Sequence, residues 1–244
     1  MSSTALFAGS RGPFMDALIR RSLDAGERCV HAVPGLAESV SSDAPSGDDS
    51  SAAAEHGDES AGDSSEPGGG TGVVCLPWGL RSALSARSLV TSVRNRLGSL
   101  DRATVVAAPA ESAASIAGLS ISEIERYIDG EVRSIVFLVR ELLVQLAEDS
   151  AGGLTLVLLE PGGGVAAPMQ SLAGGAIEGF FASVLEQYRE SGPPVFGFVA
   201  SGDGGDVEAL ADFVNAERTE RASRNRGRLQ RFGKRTGLRS LFRQ

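Results

Sequence analysis

The stretch that decides the fold is residues 5–33, which read ALFAGSRGPFMDALIRRSLDAGERCVHAV. It begins with a short apolar run that ends at Gly9, a pattern typical of a strand followed at once by a turn. Residues 14–25 then place apolar side chains on one face at helical spacing, and Gly26 is a natural helix C-cap. A second apolar run covers residues 28–33. The stretch therefore predicts a β-α-β unit.

The rest of the chain repeats this alternation of apolar runs and amphipathic helix patterns. Ser120, with Glu123 three residues later, resembles a capping box at the start of a helix that is predicted to run to about Glu148. The last helix is predicted from Asp206 to about Arg228. Such alternation indicates right-handed crossovers, so we predict a single-domain, Rossmann-like, doubly wound parallel sheet in a three-layer α/β/α arrangement. The other predicted strands are residues 72–76, 103–108, 154–159 and 195–200, and the other predicted helices are residues 82–97 and 169–189.

Charge is unevenly placed along this chain of net charge −8. Residues 35–78 hold nine acidic residues and no Lys or Arg, whereas residues 215–244 hold ten basic residues and two acidic ones. Residues 37–71 have almost nothing to bury, so we expect them to be disordered. The predicted organisation is a Rossmann-like domain of residues 1–36 and 72–214, an acidic disordered insertion at 37–71, and a basic C-terminal tail at 215–244.

Several classes of protein and site are disfavoured by composition. The two cysteines, Cys29 and Cys75, and the histidines His31 and His56 have no metal-ligand spacing, so no metal site is predicted. Both cysteines are interpreted as small buried hydrophobes in strands, and His31 as structural. The apolar run at residues 4–8 is too short for a signal peptide, and no run is long enough to span a membrane. We therefore expect a cytoplasmic protein.

Four segments, taken in order and with their spacing, resemble the short-chain dehydrogenase/reductase superfamily. They are a first turn and helix at residues 9–26, a helix end and strand at 97–110, a long interface helix at 129–142, and the region of the catalytic helix at 167–188. The resemblance implies a Rossmann fold, NAD or NADP as cofactor and oxidoreductase activity. It also implies a homodimer through helices 131–146 and 169–188, which are unusually apolar here.

The catalytic residues that the resemblance implies are absent. The family uses a Tyr as acid/base and a Lys four residues later, which lowers the Tyr pKa and anchors the cofactor ribose. The corresponding positions are Gln170 and Gly174. The one lysine is Lys234, and a glutamine stands four positions before it, so no Tyr-x-x-x-Lys pair exists anywhere. No serine stands near Glu160, where the family's active-site Ser is expected, and the family's helix Asn aligns with Glu131. No catalytic residue is therefore assigned.

The family's Gly-x-x-x-Gly-x-Gly pattern is lost as well. An ungapped alignment gives Gly9, Pro13 and Met15, with Gly12 out of step. Glycines matter there because the backbone has to approach the pyrophosphate. Because these glycines are lost, no cofactor is expected. NAD or NADP is the cofactor that the resemblance implies. The candidate cofactor-binding residues, which either hold an anion or only shape a tight turn, are Gly9, Ser10, Arg11 and Gly12.

These observations predict a non-catalytic protein of this fold that acts as a dimeric scaffold, regulatory or binding module. One alternative is an NAD(P)-dependent oxidoreductase with a degenerate cofactor site. Another is binding of nucleic acid or an anionic membrane through the Arg-rich tail. Two other interpretations of the tail are that it pairs with the acidic insertion and that it is a solvated extension. Glu160, at a strand end without a convincing partner, is interpreted as a solvated loop residue. The arginines of the tail recur mainly every three to four residues, at Arg218, Arg221, Arg224, Arg228 and Arg235.

Overall fold

Strands and helices alternate along the chain, as the sequence predicts. The computed structural model describes residues 3–35, 72–111, 115–148, 152–161, 166–201, 206–219 and 227–232. The strands are β1 (Thr4–Ala8), β2 (Arg28–Pro34), β3 (Val74–Trp78), β4 (Arg102–Ala107), β5 (Gly153–Glu160), β6 (Val195–Ser201) and β7 (Leu229–Phe232). The helices are α1 (Pro13–Asp24), α2 (Ala83–Leu97), α3 (Ile121–Ile128), α4 (Ser134–Glu148), α5 (Pro168–Gln187) and α6 (Val207–Thr219).

The strands form one sheet in the order β3-β2-β1-β4-β5-β6-β7, and every pair is parallel. The order changes direction between β1 and β4, which is the topological switch point of a doubly wound sheet. Helices α1 and α6 pack together over one face, while α2, α4 and α5 cover the other. The predicted Rossmann-like three-layer α/β/α fold is therefore confirmed.

The core is aliphatic and lies in two layers, one on each face of the sheet. The central strands are buried on both faces, so neighbouring residues of one strand belong to different layers. Leu6 packs with the α2/α4/α5 layer and Phe7 with the α1/α6 layer. This double burial explains why the strands read as continuous apolar runs rather than as an alternating pattern.

The segment from Ser120 to Glu148 is not one regular helix. Ser120 caps α3, and its reciprocal hydrogen bonds with Glu123 form the predicted capping box. A π-helical turn at Asp129–Arg133 then joins α3 to α4, so the expectation of a single α-helix to Glu148 is corrected. The hydroxyl of Ser134 donates a hydrogen bond to the carbonyl of Gly130 across this turn. Turns of this kind are frequent at functional sites, and this one lies at the carboxyl edge of the sheet.

Strand β7 was not predicted. Helix α6 is described to Thr219, and Gly227, with φ +80°, precedes a strand that pairs with β6. The predicted helix end at about Arg228 is therefore wrong, because Gly227 and Arg228 are not helical. Residues 229–232, which the sequence analysis assigns to the tail, belong to the sheet. A four-residue strand with Gln and Arg at its centre carries no clear hydrophobic period. The acidic insertion and the rest of the tail lie outside the described residues, and their boundaries stay predictions.

The two cysteines differ in environment. Cys29 is buried in β2 and Cys75 is exposed in β3, so the expectation that both are buried is wrong for Cys75. Strand β3 is the edge of the sheet; Leu76 and Trp78 are buried on one face, whereas Cys75 and Pro77 are exposed on the other. None of the helices in the described ranges is long and apolar enough to cross a membrane.

Candidate functional site

A cavity opens at the carboxyl edge of the sheet, at the switch point between β1 and β4. Doubly wound folds bind their ligands at this point. Its volume is about 90 Å³, well below the 300–1,000 Å³ typical of pockets that enclose a drug-sized ligand. The ends of β1 to β4, the π-helical turn and α5 supply the walls. The lining residues are Gly9, Ser10, Pro34, Trp78, Leu80, Val106, Ala107, Ala108, Ala110, Gly130, Glu131, Ser134, Ile135 and Ile177.

The turn from β1 to α1 contains the four candidate cofactor-binding residues. Gly9 has φ +144°, and a Cβ added to it would lie 2.4 Å from the carbonyl oxygen of Val106, so only glycine fits there. Gly9 and Ser10 line the cavity, whereas Arg11 points to solvent and pairs with Asp16 at 3.5 Å. Gly12 is the N-cap residue of α1 in extended backbone. The structure thus brings two of the four candidates to the cavity.

The start of α1 is poorly suited to binding a pyrophosphate. Pro13 occupies the first turn and has no N–H to donate. The side chain of Met15 is buried, and its Cε would lie 3.2 Å from a Cβ placed on Gly9. Met15 stands where the resembled pattern has its last glycine, so a side chain fills space that the pattern leaves to the backbone and the ligand.

Three polar side chains hold the turn that follows β4. Gln170 of α5 donates from Nε2 to the carbonyl of Pro109 at 3.1 Å. Glu131 accepts a hydrogen bond from the backbone N–H of Ala110 at 3.2 Å, and the Tyr127 hydroxyl donates to the Ala110 carbonyl at 2.6 Å. Gln170 and Glu131 are the residues that align with the family's Tyr and Asn. The structure therefore places them at the expected edge, but their described contacts are to backbone.

The acidity of two of these groups is altered by burial. Desolvation raises the pKa of the Glu131 carboxyl, and the hydrogen bond from Ala110 offsets part of that rise. Burial, together with the nearby charge of Glu131, raises the pKa of Tyr127 to about 12. A phenol with such a pKa is a poor proton donor near neutral pH. The surroundings of Tyr127 thus shift its pKa in the direction opposite to the one that a neighbouring lysine produces in the resembled family.

The position that the resemblance gives to the catalytic lysine is Gly174, one turn after Gln170 on α5. Apart from its own helical neighbours, no described residue lies within 4 Å of a Cβ placed there, so no described side chain occupies that space. Lys234, the one lysine, lies outside the described residues. No ammonium group from the described residues therefore reaches this edge of the sheet.

His31 supports the β1–α1 turn from the neighbouring strand. It is buried, and its Nε2 lies 3.2 Å from the carbonyl oxygen of Gly9. Because a carbonyl only accepts, Nε2 carries the proton. Together with the backbone N–H of Gly9, which donates to the Ala32 carbonyl at 3.3 Å, this contact fixes the turn against β2. The prediction that His31 is structural agrees with this geometry.

Glu160, at the end of β5, has a partner that the sequence did not suggest. Arg231 of β7 donates to its carboxylate at 2.9 Å and also pairs with Glu178 of α5. The interpretation of Glu160 as an unpartnered loop residue is corrected. The two hydrogen bonds also raise the pKa of the Arg231 guanidinium. This contact is visible only once β7 is known to be a strand of the sheet.

Trp78, the one tryptophan of the chain, is a wall residue that the sequence analysis missed. It is 1% exposed, and its indole N–H has no hydrogen-bond acceptor in the described structure. The available signal was its place at the end of a strand beside the switch point. No group of three or more His, Cys, Asp or Glu side chains in the described ranges is arranged to hold a metal ion.

These features define a doubly wound, Rossmann-like α/β protein with a small cavity at its switch point. Comparison with solved structures narrows the fold to that of short-chain dehydrogenase/reductases. Levodione reductase is similar with TM-score 0.69 and 11% identity over 94% of this chain and 95% of that one. A mutant short-chain dehydrogenase/reductase from Serratia marcescens gives 0.65 and 15% over 94% and 95%. A short-chain dehydrogenase from Mycobacterium smegmatis gives 0.68 and 12% over 97% and 93%.

No family model matches the sequence, and no curated protein matches it. At 11–15% identity the similarity establishes the fold alone.

Proposed function

We propose that the chain is a divergent, non-catalytic protein of the short-chain dehydrogenase/reductase superfamily that acts as a dimeric scaffold, regulatory or binding module. The proposal combines a fold that normally carries redox chemistry with a site that lacks the groups for it. Its setting is the cytoplasm, as the sequence analysis predicts.

The observation that carries the proposal is the hydrogen bond from Gln170 to Pro109. Gln170 occupies the position of the family's acid/base Tyr. Its side-chain amide neither releases nor accepts a proton at ordinary pH. Carbonyl reduction by this family requires a proton for the alkoxide, and a neighbouring ammonium to lower the pKa of its donor. Gly174 supplies no such ammonium.

The cofactor site supports the same conclusion. A dinucleotide brings two phosphate charges to the start of α1, where Pro13 has no N–H to offer and Met15 fills the close approach. Glu131 adds a carboxylate to the cavity wall. We therefore propose that the chain holds neither NAD nor NADP.

The proposed homodimer uses helices 131–146 and 169–188. On α5, Leu172 is 50% exposed, and a Cβ added to Gly175 or Gly179 would contact no described residue outside its own helix within 4 Å. On α4, Val144 is 47% exposed. Small residues beside exposed apolar ones allow the backbone of a second helix to approach closely, which favours helix packing between two copies.

The alternative function is NAD(P)-dependent oxidoreduction. It is favoured by the fold neighbours, among them a reductase and a dehydrogenase by name, and by the cavity at the switch point. The further alternative, binding of nucleic acid or an anionic membrane through the tail, rests on arginines that lie mostly outside the described residues. Of those described, Arg231 is paired with Glu160 and Glu178.

A titration with NADH and NADPH tests the proposal. We expect no saturable change in nucleotide fluorescence and no thermal stabilisation of the full chain, while an active short-chain dehydrogenase responds under the same conditions. Stoichiometric binding together with reduction of any carbonyl compound would establish the oxidoreductase instead.

Two variants locate any binding that does appear. Arg11→Ala weakens it if the nucleotide lies at the β1–α1 turn, whereas Arg20→Ala, which removes an exposed arginine paired with Glu208 on the far side of α1, leaves it unchanged. Equal effects of the two variants would indicate nonspecific attraction to positive charge.

A further inference from the structure

The cavity at the switch point has a charge that does not suit the dinucleotide that the family resemblance implies. Among its described lining residues Glu131 is the one ionisable side chain, and no Arg, Lys or His contributes to the wall. Arg11, the nearest candidate along the chain, is exposed and paired with Asp16. The cavity is therefore acidic wherever Glu131 is ionised.

The other lining side chains of the cavity include large apolar ones as well as the small polar Ser10 and Ser134. Trp78 at the end of β3, Leu80 in the turn that follows it and Ile177 of α5 line the same space. An apolar body placed there is removed from water, and an ammonium beside an indole also gains cation–π attraction when the geometry brings it over the ring.

Glu131 is held in place and partly desolvated before any ligand arrives. The π-helical turn presents it, and the backbone N–H of Ala110 binds one carboxylate oxygen at 3.2 Å. Because the fold has already removed part of its water, a cation that pairs with this carboxylate meets a smaller desolvation cost than at an exposed acid. An anionic ligand would instead bring a second unpaired negative charge into the same confined space.

We infer that this cavity binds a compact organic monocation, an ammonium group on a small apolar body, with the ammonium at the carboxylate of Glu131 and the body against Trp78. This inference rests on the proposed function, because a bound dinucleotide would occupy the same crevice. It assigns the binding module a ligand class opposite in charge to NAD or NADP.

Three probes that share one ring and differ in charge test the inference: benzylamine, benzyl alcohol and benzoate. Trp78 is the sole tryptophan and lines the cavity, so its fluorescence reports occupancy directly. We expect a saturable response to benzylamine near neutral pH, a weaker response to the alcohol and none to benzoate. Equal or stronger binding of benzoate, or no response to any probe at millimolar concentration, would overturn the inference and needs no variant.

A pair of matched variants assigns the preference to one carboxylate. Glu131→Gln keeps the shape and an acceptor for Ala110 but removes the charge, and we expect it to lower benzylamine affinity about ten-fold or more. Asp129→Asn removes an acid from the same turn that pairs with Arg133 outside the cavity wall, and it should leave the affinity unchanged. A preference that survives Glu131→Gln contradicts the inference.

The NADH titration separates this inference from the proposed function. If neither NADH nor benzylamine binds, the proposed function stands and the amine site does not. If NADH binds and is turned over, the proposed function fails, and the charge preference of the cavity is decided by the benzoate comparison alone.

Discussion

Gly9 shows how much of the site depends on a single residue. Its φ of +144° and the closeness of the Val106 carbonyl leave no room for a side chain. The resembled family keeps a glycine at this position to admit a ligand, yet here the same residue is required by the contact between β1 and β4. Gly9 is therefore no indication of dinucleotide binding.

Replacing Gly9 by Ala should destabilise the protein by about 2–4 kcal/mol. A Cβ at 2.4 Å from the carbonyl oxygen of Val106 would push β1 and β4 apart, and the φ of +144° is strained for any residue with a side chain. Gly12→Ala is the matched control. It has open space and extended backbone, and should cost less than about 1 kcal/mol as a changed N-cap. Urea unfolding measures both. Equal losses would contradict the packing at Gly9.

Cys29 provides a test through pH. Burial, with a smaller contribution from Glu27, raises the pKa of its thiol from 9.0 to about 11. Below pH 9 the thiol is protonated in both the folded and unfolded states. Between about pH 9 and pH 11 the unfolded chain loses this proton while the folded chain keeps it, so stability falls as pH rises.

We expect this contribution to reach about 3 kcal/mol at the alkaline end of the window. The measurement is the free energy of unfolding at about pH 8 and pH 11, in a Cys75→Ser background that prevents disulfide formation by the exposed thiol. Cys29→Ala should lose less stability than its parent over the same interval, since other titrating groups are common to both. Identical pH dependence would show that the Cys29 thiol is not buried as described.

At the scale of elements, the sequence predicts helices and strands where periodicity is strong and fails where it is weak. The sequence predicts strand β5, a continuous apolar run, to within one residue at each end, and it predicts the cap at Ser120 at the observed residue. The π-helical turn and β7 were missed. The π-helical turn contains one extra residue, and the spacing of hydrophobic residues does not indicate it. Strand β7 depends on pairing with β6 across the sheet, which the local sequence does not show.

The strand β7 divides the predicted basic tail into two parts that deletion can separate. Removing residues 227–244 takes away β7, its contact between Phe232 and Phe213 at 5.3 Å, and the Arg231 ion pairs. We expect a loss of about 2–5 kcal/mol and self-association through the freed edge of β6. Removing residues 233–244 should change stability by less than about 1 kcal/mol.

Thermal unfolding and light scattering measure the two effects. Similar behaviour of both deletions would contradict the place of β7 in the sheet. The shorter deletion tests the part of the tail that follows β7, because it removes Lys234 and three arginines and leaves the sheet and the earlier arginines in place. If that part of the tail contributes to binding of nucleic acid or anionic vesicles, this variant should lose the corresponding share of the salt-dependent binding.

At the scale of the whole molecule, the sequence located the edge of the sheet that carries the site but not the site's chemistry. The order of elements fixes the switch point, so Gly9 and Gln170 were placed at the right edge. The roles of Trp78, Tyr127 and Glu131 depend on which backbone groups the folded chain brings beside them, and residues far apart in sequence decide that. Absences, such as the missing Tyr-Lys pair, were readable from the sequence because they hold in any fold.

The proposed homodimer is the surface through which the proposed non-catalytic protein would act. Leu172 lies on the exposed face of α5 with Gly175 and Gly179, so an Asp at this position would bring a charge into the apolar centre of the interface. We expect the full chain to sediment as a dimer at micromolar concentration and Leu172→Asp as a monomer with native circular dichroism. Leu84→Asp, at an equally apolar but 74% exposed position on α2, should remain dimeric. A monomeric wild-type chain would remove the dimer from the proposal, and loss of dimer in both variants would place the interface elsewhere.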